Sequence, residues 1–367
     1  MLDPRLRKNL DIALLIVTLV IVVLGIAAVY SATRLTPGRQ YMKQIIWLPL
    51  GIVGMIAAAS IEYSRIAKFA KSLYVVNIAL LIIIFIPRFA PTTKGATRWI
   101  PIGSFHLQPS ELAKLFMIVC LATFLLPRLE HIREPRTLAL SFVYVAVPML
   151  LIFKQPDLGT SLVLMAVWFG MTYIAGAKAQ HLAFVLLAGC LLFAGMWHFN
   201  VIKSWQKNRI VAFVDPTSEP RGAGYQVSQS RIAVGSGQVW GKGFGKGTQS
   251  QGRFIPENHT DFVFTVVGEE GGFVFSAALV ALYGLLLFRG AIAMAQAEDS
   301  LGKLLVTGVV SMFAFHVIVN MGMTIGVMPV TGIPLPLFSY GGSSLLINMA
   351  AIGLVLGVGM RRHRLTF

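Results

Sequence analysis

Long apolar runs, separated by short polar stretches, make up most of this 367-residue chain. Each run is close to the roughly 20 residues that an α-helix needs to cross the hydrocarbon of a bilayer. A segment inside a membrane must satisfy its own backbone hydrogen bonds, so each run predicts a helix. The ten predicted helices cover residues 10–30, 45–61, 72–87, 111–126, 138–153, 158–176, 181–199, 262–288, 303–327 and 343–360.

The composition agrees with this pattern, because 56% of the residues are hydrophobic and only 13% are charged. A water-soluble domain of this size does not need so much apolar sequence. We therefore predict an all-α polytopic membrane protein in which residues 1–367 form a single domain.

Lysine and arginine are distributed unevenly over the polar stretches. Most lie before the first apolar run, in every second short loop after it and at the C-terminus, and cytoplasmic loops carry such an excess. The first run has no small-residue cleavage site, so it is predicted to be a retained signal-anchor. Both termini are expected in the cytoplasm, and the long stretch at about 200–261, between the seventh and eighth helices, is expected outside.

This long outer loop is basic. Its lysines and arginines are Lys203, Lys207, Arg209, Arg221, Arg231, Lys242, Lys246 and Arg253. An anionic ligand would explain the excess, and attachment to anionic lipid headgroups is the alternative. The glycine-rich part at 235–252 lacks the Ser or Thr that follows the lysine of a phosphate loop, and the strand and helix beside it, so we exclude a nucleotide site.

Asp261 lies where this loop meets the eighth apolar run, within PENHTDFVF at 256–264. A carboxylate at this boundary can meet both water and hydrocarbon. An ionisable group at the edge of a membrane segment marks a candidate functional site. His259 is close enough in sequence to tune this carboxylate or to cap the helix, and both interpretations stay open.

Other charged residues lie near predicted helix starts. Glu111 and Lys114 are three residues apart, so a helix places them on one face. They either bind a ligand or neutralise each other at a sealed helix end. Ser110 or Gln108 could cap that helix, and for Asp157, which starts the sixth helix, capping is the favoured interpretation.

Two further features concern the interior of the membrane region. A regular helix would place Glu269 and Glu270 about 12 Å deeper than Asp261. They would then need a polar interior or a cavity, and we expect a structural role for at least one of them. The proline-rich stretch at 329–344 cannot be a continuous helix and is predicted to be broken or re-entrant, either serving a polar ligand with its hydroxyls or packing as a plug.

Six segments carry a family pattern. They are KGATRWIPIG (94–103), FHLQPSELAK (105–114), QPDLGTS (155–161), GAGYQVSQSRIAVGSG (222–237), HTDFVF (259–264) and PLPLFSYGGS (334–343). In this order, and spread over nearly the whole chain, they resemble the SEDS family of bacterial shape, elongation, division and sporulation proteins. The short tails are most similar to those of the cell-elongation members.

The resemblance implies a peptidoglycan glycosyltransferase in the bacterial cytoplasmic membrane. Family members polymerise lipid II, a disaccharide-pentapeptide on undecaprenyl pyrophosphate, at the outer face. They work with a class B penicillin-binding protein, the transpeptidase that crosslinks the glycan. Membrane lipids are the other expected partner, and no nucleic acid is expected. By the same resemblance, Asp261 is the catalytic aspartate and acts as general base.

An inverting transfer that expels pyrophosphate needs one base and nearby cations. The residues that we expect to contact or orient the substrate are Lys43, Arg98, Trp99, Glu111, Lys114, Asp157, Arg209, Arg221 and Arg231. Trp99 would lie against a sugar face or at the membrane interface. A divalent cation, Mg²⁺ or Mn²⁺, could bridge the pyrophosphate to a carboxylate, although no motif defines its site.

Two other functions use the same sequence features. A flippase for the lipid-linked precursor also needs many helices, inward carboxylates and a basic vestibule, but transporters often contain an internal repeat and we find none that is convincing. A scaffold that activates a separate polymerase would leave Asp261 and the basic loop without a purpose.

Overall fold

The computed structural model describes residues 9–36, 38, 40–86, 89–90, 97–103, 105–199, 204–215, 222–252 and 254–361. Within these ranges, one helix corresponds to each predicted run. They are α1 (Ile12–Thr33), α2 (Gln40–Ser60), α4 (Ala70–Ile83), α5 (Pro109–Leu125), α6 (Pro135–Lys154), α7 (Leu158–Ile174), α8 (Ala179–His198), α12 (Val263–Ala295), α13 (Ser300–Thr324) and α14 (Gly342–Met360).

Shorter elements join these helices. They are α3 (Tyr63–Lys68), an antiparallel hairpin of β1 (Ile100–Ile102) and β2 (Phe105–Leu107), a 3₁₀ turn (Leu126–His131), α9 (Ser204–Val214), α10 (Ala223–Ser236) and α11 (Thr248–Gln251). The long loop at 200–261 is therefore partly helical.

Eight helices of the described part are long and apolar enough to cross a membrane, while α4 and α7 are shorter. The predicted class, an all-α polytopic membrane protein, is confirmed. The number of spans stays a prediction, because length and composition alone do not place α4 and α7 across a bilayer.

Hydrogen bonds between distant residues show which helix ends meet. Asp11, the N-cap of α1, pairs with Arg289 near the end of α12 at 2.7 Å, and Tyr63 donates to Asp299 at the start of α13 at 2.9 Å. We call this side of the bundle the Arg289 end. The opposite side, which holds the start of α12 and the end of α13, is the Asp261 end. The prediction that the Arg289 end is cytoplasmic rests on the loop charges.

The helix α12 is not regular. Its backbone breaks at Gly272, where φ is +65°, a conformation that glycine adopts without strain. Residues before the break are mostly buried, whereas Phe273 directly after it is 69% exposed. The first part of α12 is therefore enclosed by protein. The break comes after Glu269 and Glu270, so the depth expected for these two residues stays a prediction.

The stretch between α13 and α14 contains no helix, as its prolines predicted, and is folded into the bundle. Ile333, Leu335, Leu337 and Phe338 in it are buried. We call residues 329–341 the plug. At the other extreme of packing, α8 has a single buried residue, Leu182, so nearly all of its side chains face outward.

Candidate functional site at the Asp261 end

Asp261 ends a tight turn that leads into α12. The carbonyl of Glu257 accepts the backbone N–H of Thr260 at 3.1 Å and that of Phe262 at 3.4 Å, and Glu257 has a positive φ of 57°. The turn leaves the Asp261 side chain partly exposed, although its neighbour Phe262 is buried. The carboxylate thus lies at the rim of the protein interior.

The plug and α13 hold the backbone of this turn. The carbonyls of residues 259, 260 and 261 each accept one hydrogen bond. The donors, in the same order, are the backbone N–H of Tyr340 at 3.0 Å, Ser339 Oγ at 2.6 Å and Asn320 Nδ2 at 2.8 Å. Three consecutive peptide groups are therefore fixed, and the side chain of Asp261 projects from a rigid backbone.

The carboxylate itself accepts no hydrogen bond from the residues that the structure describes. A methyl group on Gly332 of the plug would lie 3.3 Å from Asp261 Oδ2 and 4.0 Å from Arg209 Nη1, so glycine leaves room for both groups. Burial, followed by the charge of Glu257, raises the pKa of Asp261 to about 6, although Arg209 and Arg98 act in the opposite direction. A pKa near 6 is suited to a base at neutral pH.

Two arginines supply positive charge beside Asp261. Arg209 on α9 donates to the carbonyls of Thr331 at 3.1 Å and Val330 at 3.4 Å, both in the plug. Arg98 donates to the carbonyls of Gln155 at 3.1 Å and of Pro156. Burial and the neighbouring charge of Arg98 lower the pKa of Arg209, yet a guanidinium stays protonated in proteins. The structure thus brings Arg98, Arg209 and Asp261 into one site.

Asp157 joins the same site and also caps α7. Its carboxylate accepts from the backbone N–H of Thr160 at 3.2 Å and from Thr160 Oγ1 at 2.9 Å. Ser110 Oγ donates at 3.3 Å to Oδ2, the oxygen that also accepts from Thr160 Oγ1, and links Asp157 to the start of α5. Capping is confirmed, and the negative charge of Asp157 additionally raises the pKa of Asp261.

Glu111 and Lys114 are buried rather than open to a ligand. Lys114 Nζ lies 2.8 Å from Glu111 Oε1 and 3.1 Å from His316 Nε2, and its side chain is fully buried. The predicted side-chain cap of α5 is wrong, because Gln108 occupies the N-cap position without a capping hydrogen bond and Ser110 instead contacts Asp157. Of the two interpretations, this geometry matches the one in which Glu111 and Lys114 neutralise each other at a sealed helix end.

The remaining predicted binding residues make no described hydrogen bond or ion pair with Asp261, or they lie outside the described ranges. Lys43 and Arg231 are exposed and Trp99 is partly buried. In the described part of the chain, no hydrogen bond or ion pair joins any of these three to Asp261. Arg221 lies outside the described residues.

Glu269 and Glu270 anchor the glycine-rich loop. Glu269 accepts from Lys242 Nζ, the backbone N–H groups of Gln249 and Ser250, and the hydroxyls of Ser250 and Thr248, at 2.6–3.1 Å. Glu270 accepts from Ser31 Oγ at 2.6 Å and from the backbone N–H of Gly245 at 2.9 Å. The expected structural role is confirmed for both residues, and the polar surroundings that they need are provided by the loop.

The described residues contain no group of three or more His, Cys, Asp and Glu side chains placed to hold a metal ion. The divalent cation stays an expectation that the resemblance and the pyrophosphate chemistry motivate.

Sequence reasoning missed Asn320 and Gln44, which fix the plug from α13 and α2. Gln44 Nε2 donates to the Ser339 carbonyl at 3.1 Å, and Asn320 is buried in the mostly apolar helix α13. The available signal was a polar amide inside an apolar run, since such groups need hydrogen-bond partners in a bundle. The partner of Asn320, the carbonyl of Asp261, could not be predicted from the sequence, because it lies 59 residues away.

Comparisons with known proteins agree with this architecture. A family model described as "Cell cycle protein", covering FtsW, RodA and SpoVE, matches residues 8–364. MrdB of Escherichia coli K12, named a peptidoglycan glycosyltransferase, is 35% identical over 362 residues, which are 98% of this chain and 96% of MrdB. Stage V sporulation protein E of Bacillus subtilis 168 is also 35% identical over 362 residues, 96% of this chain and 97% of that protein.

Solved structures match over the same length. RodA of Thermus thermophilus superimposes with a TM-score of 0.72 at 31% identity, covering 97% of this chain and 98% of that chain. A chain from work described as "Structural coordination of polymerization and crosslinking by a peptidoglycan synthase complex" reaches a TM-score of 0.81 at 32% identity, covering 95% and 97%. Relatives with different cellular names match equally well, so assignment to the elongation subfamily stays a prediction. The chain itself belongs to the SEDS family of FtsW, RodA and SpoVE.

Proposed function

We propose that this chain is a peptidoglycan glycosyltransferase that polymerises lipid II at the Asp261 end of the bundle. Relatives that carry this activity in their names match it over nearly their full length, which supports the activity class. The observation that carries the site assignment is Asp261: its carboxylate is partly open, accepts no hydrogen bond from the described residues and lies near Arg209.

In the proposed reaction, a sugar hydroxyl of the acceptor attacks the anomeric carbon of the donor. The new carbon–oxygen bond forms as the bond to the pyrophosphate oxygen breaks, so the α-linked donor yields a β-linked glycan by inversion. Asp261 accepts the hydroxyl proton and orients the nucleophile, and undecaprenyl pyrophosphate leaves as an anion. With a pKa of about 6, most Asp261 side chains are ionised at neutral pH.

Arg209 and Arg98 are suited to the leaving group. A guanidinium presents five N–H donors in a fixed plane and binds phosphate oxygens well. Because each arginine also donates to backbone carbonyls, its position is set before the substrate arrives. Fixed positive charge stabilises the negative charge that develops on the departing pyrophosphate, and no second acid is required.

The loop charges and a structural neighbour support a place of action and a partner. The loop charges favour an extracytoplasmic Asp261 end, where lipid II would be used. The structural neighbour comes from work on a complex that couples polymerisation to crosslinking. We accordingly propose that a class B penicillin-binding protein is the partner of this chain.

The test is polymerisation of purified lipid II by the reconstituted protein with its transpeptidase partner. Asp261→Asn should lower the rate by about 10²–10⁴-fold, the usual contribution of a positioned base, while partner binding persists. Glu130→Gln, the same chemical change at an exposed residue outside the site, is the control.

Two outcomes would contradict the proposal. Full activity of the Asp261→Asn protein would exclude the base role. Transfer of labelled lipid II across the vesicle membrane without any polymer would instead support the flippase.

A further inference from the structure

Asn320 connects the two walls of the site. The side chain lies on α13 and is fully buried. Its Nδ2 donates one hydrogen bond to the carbonyl of Asp261 and a second to the carbonyl of Ile333 in the plug, both at 2.8 Å. A single amide group therefore holds the turn that carries the carboxylate and the segment opposite it.

The plug segment held by Asn320 is the one that holds Arg209. The carbonyls of Val330 and Thr331, which accept from Arg209, lie three and two residues before Ile333, respectively. Gly332 lies between Thr331 and Ile333. A side chain at this position would contact both Asp261 and Arg209. The separation between the carboxylate and the guanidinium thus depends on where Asn320 fixes each segment.

Asn320 shares one feature with Asn77, a buried amide of α4. The second polar atom of the Asn320 side chain, Oδ1, is buried and has no hydrogen-bond partner in the described structure. A buried polar atom without a partner destabilises the folded protein. The two hydrogen bonds that join the walls of the site distinguish Asn320 from Asn77.

We propose that Asn320 is a positioning residue that sets the spacing between Asp261 and Arg209. The inference rests on the proposed function, in which Asp261 orients the attacking hydroxyl and Arg209 binds the pyrophosphate. In a direct displacement the nucleophile and the leaving group must lie in line with the reacting carbon. A displacement of about 1 Å in such an arrangement can reduce the rate by about 10²-fold.

The experiment compares two buried asparagines that are changed to leucine, a residue of similar size without donors. Asn320→Leu should lower kcat by about 10–100-fold and leave KM within about twofold, because the groups that bind the substrate remain. Asn77→Leu in α4 is the matched control, since Asn77 is equally buried and its Nδ2 has no partner in the described chain. It should retain the kcat of the parent protein.

Asn320→Gln separates positioning from folding. It keeps both N–H donors but moves them by one methylene group, so kcat should lie between those of the parent and the leucine protein. If the leucine protein does not fold, this variant decides the question. A folded glutamine protein with unchanged kcat would then overturn the inference.

Measuring Asp261→Asn in parallel distinguishes a failure of the positioning role of Asn320 from a failure of the proposed function. Loss of activity there, with normal kcat in Asn320→Leu, would overturn the positioning role alone. Retained activity in Asp261→Asn would overturn both. A kcat loss in Asn320→Leu that matches its loss of folded protein would show that Asn320 is only structural.

Discussion

Asp261 and Glu269 lie eight residues apart at the same end of the bundle, yet their carboxylates meet opposite surroundings. Glu269 is fully buried and accepts hydrogen bonds from a lysine, two backbone amides and two hydroxyls. Asp261 keeps some exposure, and no described residue donates to its carboxylate. The protein thus satisfies the carboxylate of Glu269 with hydrogen bonds and leaves the carboxylate of Asp261 available.

The comparison separates a structural acid, Glu269, from the acid proposed to react, Asp261. Hydrogen bonds to the ionised form stabilise it and lower its reactivity as a base, whereas burial without donors raises the pKa. The backbone of Asp261 is nevertheless held as firmly as that of a structural residue. Rigid support of the main chain together with an unsatisfied side chain is the arrangement that catalysis requires.

The strongest expected contrast is in stability. Glu269→Ala removes the acceptor for Lys242 and for two backbone amides, and breaking a buried, hydrogen-bonded charge pair costs about 3–5 kcal/mol. Thermal unfolding of the detergent-solubilised protein should show this loss. Asp261→Ala should leave the unfolding temperature near that of the parent, and equal losses in both proteins would abolish the distinction.

The next effect is the pH dependence of polymerisation. Because the pKa of Asp261 is about 6, kcat/KM should fall about tenfold for each pH unit below that value as the base becomes protonated. The folded-state pKa lies above the ordinary value of 3.8, so protonation of this group favours the folded state as the pH falls from about 6 to 4. Activity measured at low pH with circular dichroism alongside would check this, and a flat profile from pH 5 to 7 would contradict it.

Substitutions of two charged neighbours of Asp261 should shift the acidic limb of the pH–rate profile, where activity falls at low pH, in opposite directions. Arg209 lowers the pKa of Asp261 and Glu257 raises it. Arg209→Met should therefore shift the limb to higher pH, and Glu257→Gln should shift it to lower pH. A pH–rate series for both proteins is the measurement, and shifts of the same sign would exclude electrostatic control by these residues.

The smallest expected effect concerns the space between Asp261 and Arg209. Gly332 has a φ of +73°, so Gly332→Ala introduces backbone strain of about 1–2 kcal/mol and a methyl group 3.3 Å from the carboxylate. Gly103→Ala, at a φ of +63° with open space around it, introduces similar strain without that contact. Activity should fall several-fold in the first protein and be retained in the second. Equal activities would show that the spacing is not critical.

The apolar runs were sufficient to predict the helical bundle, because a chain in hydrocarbon has few ways to satisfy its backbone. The broken plug could also be predicted, since its prolines exclude a continuous helix. The break of α12 at Gly272 was missed. Gly272 is one of several glycines in this stretch, and nothing in the local sequence indicates that Gly241 packs against it.

Asp261 was identifiable from its place at the edge of an apolar run, but the composition of its site was not. The expected group of binding residues divides in the structure: Arg98, Arg209 and Asp157 act on Asp261, whereas Lys114 is sealed against Glu111 and His316. Residues of similar charge were indistinguishable in the sequence. Their separation depends on which helix each one faces.

The sequence by itself determined the membrane class and the positions of the helices, and it singled out Asp261 as a candidate, because these follow from local hydropathy and from the energetic cost of charge near hydrocarbon. Only the tertiary structure decided that Glu269 anchors a loop, that Lys114 is enclosed and that Asn320 joins the turn to the plug. These roles depend on hydrogen bonds between residues far apart in the chain, and such bonds are set by how the helices pack rather than by any local pattern.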